Sequence, residues 1–187
     1  MAGEDNHGNN NHYVVRSKKT KNNHYVELCE HLQRGNWNEI KKILDGHPKI
    51  LSEKINYQGR TVLHLAVFAQ QESIVEELVM RMSPKDLENE NVFGYTALIE
   101  TTLIGNDKMA KCMLIKNERL VRIPNRRKIL PVVLAVLHHH MKLARYLYQY
   151  TSLEDLVTDN CLNGATLIIQ VMYTGDFGKN LSPFNIH

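Results

Sequence analysis

Residues 56–66 of the chain read Asn-Tyr-Gln-Gly-Arg-Thr-Val-Leu-His-Leu-Ala, and residues 91–98 repeat the motif as Asn-Val-Phe-Gly-Tyr-Thr-Ala-Leu. A degenerate copy follows at 125–135, and a fourth lies at 161–168, where Cys replaces the leading Asn. The residues at the glycine position are 35, 34 and 36 residues apart, in the order Gly59, Gly94, Lys128 and Gly164. Because four copies keep nearly one period, the sequence predicts a repeat protein in which each unit packs against its neighbours.

Each period has the apolar pattern of two short helices. The first helix starts at the threonine of the motif and ends at a polar break, such as Gln70-Gln71. The second helix has apolar residues three and four positions apart, as at Ile74 and Leu78. A further unit without the motif lies upstream, around Gly35. We therefore predict an all-α solenoid of stacked helix-turn-helix units. The predicted bounds are 24–56, 57–91, 92–125 and 126–159 for four full units and 160–177 for a partial fifth.

The two ends of the chain differ in composition from this array. Residues 1–23 contain six asparagines and little that could form a core, so we predict a disordered tail. Residues 178–187 include Pro183 and show no helical period, so we predict an irregular tail. Because no second helix follows Phe177, the partial unit favours a truncated or spliced form of a longer protein.

The motif residues have predictable structural roles. Glycine permits a positive φ in the turn, and the threonine two residues later caps free N–H groups at the helix start. The apolar residue two positions further on is expected to point into the layer between units. These positions are Gly59, Thr61, Leu63, Gly94, Thr96, Leu98, Gly164 and Thr166, with Val132 and Ile168 at the apolar position of the other two copies. In the third copy Lys128 and Leu130 replace glycine and threonine, which predicts a less regular turn.

The motif resembles the opening of the ankyrin repeat, Gly-x-Thr-Pro-Leu-His-x-Ala, which recurs about every 33 residues. His64 matches the family histidine, and Pro131 matches the family proline. The resemblance implies that His64 hydrogen-bonds between adjacent repeats. Proline is tolerated in the first helical turn because no intrahelical donor is lost there. The resemblance also implies an ankyrin-repeat solenoid whose concave side binds protein partners.

A narrower resemblance begins at residues 28–37, Leu-Cys-Glu-His-Leu-Gln-Arg-Gly-Asn-Trp, and includes the long linker at 83–91. These stretches are similar to plant ankyrin-repeat proteins with a C-terminal Pro-Gly-Gly-type transmembrane domain. The resemblance spans roughly residues 24–177. It implies a role in plant stress or defence signalling and, for longer forms, a place on the cytosolic face of the plasma membrane. The sequence itself has no run of about 18 apolar residues, as a membrane helix needs.

Composition and motifs narrow the class of protein further. The three cysteines, Cys29, Cys112 and Cys161, are scattered and odd in number, which favours a reducing, cytoplasmic compartment. No phosphate-binding, dinucleotide, serine-hydrolase or zinc-protease motif is present, so we predict no catalysis, no cofactor and no small-molecule substrate. Three consecutive histidines occur at 138–140. Adjacent residues on a helix point about 100° apart, so we interpret them as a turn and predict no metal site.

A basic band occupies residues 108–128, with eight basic side chains against one acidic residue, Glu118. We favour a solvated face that neighbouring acidic residues partly balance. The alternative is contact with an anionic membrane surface or an acidic partner, which would make the protein a membrane-peripheral adaptor. Nucleic acid is disfavoured because no aromatic residues interleave with the charges.

Together these patterns predict a non-catalytic protein–protein interaction module whose partner the sequence does not identify. Exposed positions of the turns and first helices are the expected contact residues, since such positions vary freely without disturbing the core. The candidates are Tyr57, Gln58, Arg60, Phe93, Tyr95, Arg126, Arg127 and Asn163.

Overall fold

The computed structural model describes residues 24–158 and 161–173, and these residues are helical with no β-strand among them. The predicted tails at 1–23 and 178–187 lie outside the described residues. The α-helices are α1 (24–34), α2 (Trp37–Gly46), α3 (Val62–Phe68), α4 (Glu72–Arg81), α5 (Ala97–Ile104), α6 (Asp107–Lys116), α7 (Pro131–Leu137), α8 (Met141–Tyr148), α9 (Leu153–Val157) and α10 (Leu162–Tyr173). Short 3₁₀ helices occupy Pro48–Leu51, Asp86–Glu88 and Glu118–Arg122 in the linkers.

The helices form two stacked layers. One layer consists of α3, α5, α7 and α10, each packed on the next, and the other consists of α4, α6 and α8. Within a unit the two helices pack together, as α3 does with α4 and α5 with α6. The predicted inward positions Leu63, Leu98 and Val132 are each at most 1% exposed. The fold prediction is confirmed among the described residues, which form an all-α stack of helix-turn-helix units.

Helix starts follow the motif in the central units. The Thr96 hydroxyl accepts a hydrogen bond from the Ile99 N–H at 3.3 Å, and Thr61 forms a capping box with His64. Pro131 is the first residue of α7, where a proline costs no hydrogen bond. The threonine and proline positions therefore set where the first helices begin.

The turn before α7 is as regular as its neighbours, so the prediction of a less regular turn there is wrong. Lys128 has φ +63°, close to the +70° of Gly59 and the +72° of Gly94. Its N–H donates to the Asn125 carbonyl at 2.8 Å, as the N–H of Gly59 does to Asn56 at 2.9 Å. The hydrogen bonds of the repeat hold a lysine in a left-handed conformation that favours glycine.

The fourth motif copy does not form the same turn. Helix α10 begins at Leu162, so Gly164 and Thr166 lie inside the helix and Thr166 does not cap it. Gly164 is not among the glycines with positive φ, and Ile168 is 49% exposed rather than inward. The physical reason is Asn163, whose side chain binds the unit before it and fixes an earlier start for the helix.

The apolar pattern of the sequence does not predict helix α9. Ser152 and Asp155 form a capping box, in which the Ser152 Oγ accepts from the Asp155 N–H at 3.2 Å and Asp155 accepts from the Ser152 N–H at 3.1 Å. This pairing caps a helix of five residues, and Ser83 and Asp86 make the same pairing at the start of the 3₁₀ helix Asp86–Glu88. No helix among the described residues combines the length and the apolar character needed to cross a membrane.

Candidate functional site

Three turns project from the starts of the first helices, and we call them finger 1 (56–60), finger 2 (91–95) and finger 3 (125–129). Each begins with an asparagine whose side-chain oxygen accepts the N–H of the residue four positions on. The Oδ1 atoms of Asn56, Asn91 and Asn125 lie 3.1 Å from these nitrogens in all three fingers. The three fingers thus share one backbone structure, because the asparagine side chains bind backbone N–H groups that would otherwise bind water.

Adjacent fingers are in direct contact. The Val92 N–H of finger 2 donates to the Gln58 carbonyl of finger 1 at 2.9 Å. At Gly94 of finger 2, a Cβ atom would lie 2.6 Å from the Arg126 Cγ and 2.9 Å from its backbone nitrogen, so finger 3 packs against the bare glycine. The three fingers therefore form one continuous ridge.

His64 connects two repeats through its ring. Its Nδ1 accepts from the Thr61 N–H at 3.3 Å, so the other ring nitrogen carries the proton and Nε2 donates to the Tyr95 carbonyl at 2.9 Å. This is the inter-repeat bond that the resemblance implies. Burial lowers the pKa of His64 to about 4, which keeps the ring neutral and able to accept from Thr61.

A buried ion pair lies beneath fingers 1 and 2. The Arg60 Nε donates to the Glu100 carboxylate at 2.9 Å, and the Asn91 amide donates to the same oxygen at 2.8 Å. The Arg60 guanidinium also stacks on the Phe68 ring, 4.6 Å from its centroid. Burial raises the pKa of Glu100 and outweighs the opposing effects of Arg60 and Asn91. These side chains join neighbouring units.

The eight predicted contact residues divide by exposure. Tyr57 is 91% and Phe93 51% exposed, and Arg126 and Arg127 are also exposed. Gln58 and Tyr95 are half-buried and bind neighbouring units through their carbonyl groups.

The remaining two, Arg60 and Asn163, are held in contacts between units, against the prediction that they are exposed. The Arg60 side chain is 17% exposed because it pairs with Glu100. Asn163 is 3% exposed, accepts from the Leu130 N–H at 3.0 Å and donates to the Lys128 carbonyl at 2.8 Å. Both residues join units of the stack.

Fingers 2 and 3 enclose a groove of about 310 Å³. Its lining includes four of the predicted contact residues, and the full set is Val92, Phe93, Tyr95, Asn125, Arg126 and Arg127. Tyr57 instead borders a separate groove of about 440 Å³ between finger 1 and α1, next to Tyr25 and Val26. The fold therefore gathers half of the predicted set at one place.

The cations of the basic band differ in whether they have a partner within the described residues. Lys108 pairs with Glu72 at 3.1 Å and Arg122 with Asp155 at 3.4 Å. The Lys116 ammonium donates to the Met80 carbonyl at 3.3 Å, and Lys111 lies 5.3 Å from the Tyr146 ring centroid. Within residues 24–158 and 161–173, the three consecutive cations of finger 3, at 126–128, have no ion-pair partner.

The histidine run forms the turn that the sequence predicts. His138 caps the end of α7, His139 has φ +61°, and His140 precedes α8. The His140 Nε2 lies 3.2 Å from the Leu103 carbonyl of the preceding unit. Among the described residues, no group of three or more His, Cys, Asp or Glu side chains could hold a metal ion.

Two of the cysteines are half-buried in helices. Burial, with a smaller effect of Glu76, raises the pKa of Cys112 to about 11, and burial also raises that of Cys29. Both thiols are protonated at neutral pH and so are poor nucleophiles.

Sequence reasoning missed the residues that shape the fingers. Asn91 and Asn125 are buried and fix the finger backbones, and Glu100 joins fingers 1 and 2 from below. The recurrence of asparagine three residues before the glycine position was the available signal for the first two. Glu100 had no such signal, because nothing in the chain repeats a carboxylate at its position.

Comparison with known proteins agrees with this geometry. Residues 58–90 match the family model of the ankyrin repeat. The chain is similar to ankyrin repeat and SAM domain-containing protein 6 of Rattus norvegicus, at 30% identity over 101 residues, which is 54% of this chain and 11% of that protein. The protein of the same name from Mus musculus shows the same identity and coverage. The aligned stretch thus spans only a small part of these relatives.

The stack and the match together define an ankyrin-type repeat fold. Ankyrin repeats indicate a protein–protein interaction module, and the fold is a non-enzymatic one.

Proposed function

We propose that this chain binds protein partners through the ridge of fingers 1 to 3 and carries out no catalysis. The observation that supports this proposal is the continuity of the ridge, in which the hydrogen bond from Val92 to Gln58 and the packing of Arg126 on Gly94 join three turns. The exposed side chains project from a backbone that already has its structure before a partner binds. Such preorganisation lowers the entropic cost of association.

The chemistry of the exposed side chains supports the same proposal. Tyr57 and Phe93 present large aromatic surfaces to solvent, and Arg126 and Arg127 stand beside Phe93. Aromatic and arginine side chains are enriched among residues that dominate binding energy at protein interfaces. Two further exposed apolar residues, Met80 and Ile115, are on the second helices rather than on the ridge.

The proposed setting is the cytosol of a plant cell, in stress or defence signalling. This part rests on the resemblance of residues 28–37 and the linker at 83–91, since both matched relatives are rodent proteins. The proposal includes four repeat units with bounds 24–56, 57–91, 92–125 and 126–159, and a partial fifth unit at 160–177. The alternative of a membrane-peripheral adaptor is supported by the three cations of finger 3 and by Arg119, which have no ion pair among the described residues, whereas Lys108, Arg122 and Lys116 have partners within the chain.

Affinity capture with matched variants tests the interaction surface. The full chain is immobilised and exposed to a plant-tissue extract, and bound proteins are quantified by mass spectrometry. Tyr57→Ser combined with Phe93→Ser removes the exposed aromatics of the ridge. Met80→Ser combined with Ile115→Ser is the control, since it removes two apolar residues that are 64% and 83% exposed on the second helices.

We expect specific partners to be lost from the ridge variant by at least about ten-fold and retained by the control. Thermal unfolding of both variants establishes that each is folded. Partners that stay bound to the ridge variant, or that both variants lose equally, would contradict the proposal.

A further inference from the structure

We propose that the groove between fingers 2 and 3 binds an acidic peptide segment of the partner, with carboxylates on Arg126 and Arg127 and an apolar side chain against Phe93. This inference rests on the proposed function and specifies the partner. It concerns one groove of about 310 Å³, a volume at the lower end of the range for ligand sites and suited to one or two side chains.

The groove is built on a fixed backbone. In finger 2 the Asn91 Oδ1 accepts from the Phe93 N–H at 2.8 Å, and in finger 3 the Asn125 Oδ1 accepts from the Arg127 N–H at 2.9 Å. Both asparagines are less than 5% exposed. The walls therefore hold their spacing without a ligand, while the side chains of Phe93 and Arg127 remain free to contact one.

The walls differ in chemistry. The wall from finger 2 is aromatic, with the Phe93 and Tyr95 ring centroids 6.0 Å apart and the rings tilted by 43°. The wall from finger 3 carries Arg126 and Arg127, followed by Lys128. An arginine offers a planar fork of donors that matches a carboxylate, and an aromatic ring offers a flat apolar surface beside it. A segment that mixes acidic and apolar residues satisfies both walls.

Finger 3 differs from the rest of the basic band in carrying three consecutive cations without an ion pair among the described residues, since the other such cations, Lys111, Lys116 and Arg119, are separated along the chain. The cations at 108 and 122 already face carboxylates of this chain, whereas those at 126–128 have no ion-pair partner among the described residues. The carboxylate beneath fingers 1 and 2, Glu100, is paired with Arg60. Three adjacent cations without counter-charges favour an anionic ligand at this finger.

A membrane surface fits these observations less well. Binding to anionic lipid through charge commonly uses four to eight basic residues on one face. Here three cations stand on one turn, and the neighbouring tips carry Tyr57, Gln58, Val92 and Phe93, which are uncharged. Arg126 and Arg127 also line a concave groove rather than a flat face. The acidic peptide is therefore the occupant that we propose.

Fluorescence anisotropy with defined probes tests the inference. The acidic probe is a fluorescein-labelled peptide of four Asp-Glu-Leu repeats, and its matched probe has four Asn-Gln-Leu repeats. The full chain is titrated with each probe at about 50 mM and 200 mM salt, concentrations between which charge contacts weaken measurably. Vesicles of phosphatidylserine and phosphatidylcholine, assayed by sedimentation, form a separate arm.

Three variants locate the contact. Arg126→Gln with Arg127→Gln removes the guanidinium groups, and Phe93→Ser removes the aromatic wall. The control is Lys108→Gln with Arg122→Gln, which removes the same charge from cations that have partners in the chain. All altered side chains are exposed, and thermal unfolding verifies that each variant is folded.

We expect the acidic probe to bind at least about ten-fold more tightly than the amide probe, with a weaker affinity at the higher salt. The double arginine variant should lose about ten-fold or more, Phe93→Ser should lose several-fold, and the control should stay within about two-fold of the native chain. Any of four results would overturn the inference. The first two are equal binding of the two probes and full retention of binding by the arginine variant. The other two are an equal loss of affinity in the control and arginine-dependent binding to vesicles without binding to the peptide. If capture of partners still needs Tyr57 and Phe93 in those cases, the interaction module stands and only the acidic partner is excluded.

Discussion

His64 shows how one side chain joins two repeats of the stack. It is 1% exposed, and it uses one ring nitrogen within its own unit and the other on the next unit. This arrangement needs a neutral imidazole, because a protonated ring has no acceptor for the Thr61 N–H. The bond that links the repeats is therefore also a site at which acid acts on the fold.

We predict that His64 makes the protein sensitive to mild acid. Its pKa falls from 6.5 to about 4 on folding, so the unfolded chain binds more protons between these values and stability decreases as pH falls. The contribution is fully present above about pH 6.5, and about 3 kcal/mol of it is lost by pH 4. Urea unfolding at pH 7, 6, 5 and 4 measures this loss.

The His64→Gln variant is the reference for this prediction. It is less stable at pH 7, because it loses the ring bonds, but its free energy of unfolding should change less between pH 6.5 and 4. Parallel curves for the variant and the native chain would show that another group causes the acid sensitivity.

At the level of whole elements, the sequence predicts where the helices begin better than which side chains join one unit to another. The motif places α3, α5 and α7 within a residue or two of their observed starts, since a threonine or proline at the helix start acts locally. The start of α10 was mispredicted because Asn163 binds Lys128 and Leu130 from another unit. The exposure of Arg60 was mispredicted for the same reason, since its partner Glu100 is 40 residues away.

The pair of Arg60 and Glu100 holds adjacent elements together, and its removal should be costly. Arg60→Met leaves Glu100, whose side chain is 6% exposed, with Asn91 but without a cation. We expect a loss of about 3 kcal/mol in the free energy of unfolding, the low end for a broken buried pair, because Arg60 keeps some exposure. Urea unfolding at pH 7 measures the loss.

A double-mutant cycle isolates the interaction itself. Arg60→Met made in a Glu100→Gln background should cost at least about 1 kcal/mol less than in the native chain. The comparison pair is Lys42 and Glu39, which are 2.7 Å apart but 71% and 39% exposed, so Lys42→Met should cost less than about 1 kcal/mol. Additive losses at Arg60 and Glu100 would refute a coupled pair.

For the whole molecule, the stack makes each unit depend on its neighbours. Helices α5 and α7 each lie between two first helices, whereas among the described elements α10 packs on α7 and α9. Its exposed apolar residues include Leu162, Ile169 and Met172, while Leu167 is 4% exposed. In a repeat array, stability is close to a sum over units and their interfaces, so α10 should open at a lower free energy than α5.

Asn163 should control this opening. Asn163→Ala removes the partners of the Leu130 N–H and the Lys128 carbonyl, which α10 supplies from a position that is 3% exposed. Each lost partner costs about 1–3 kcal/mol when the group stays buried.

Hydrogen exchange followed by mass spectrometry should show the amides of 162–173 exchanging at least about ten-fold faster, with α3 to α6 changed by less than about two-fold. Thr166→Ala, a half-buried position on the same helix, is the control and should leave the exchange near its native rate. A uniform acceleration through α3 to α8 would mean that the stack unfolds as one cooperative unit, and that Asn163 contributes to its global stability rather than to the attachment of α10.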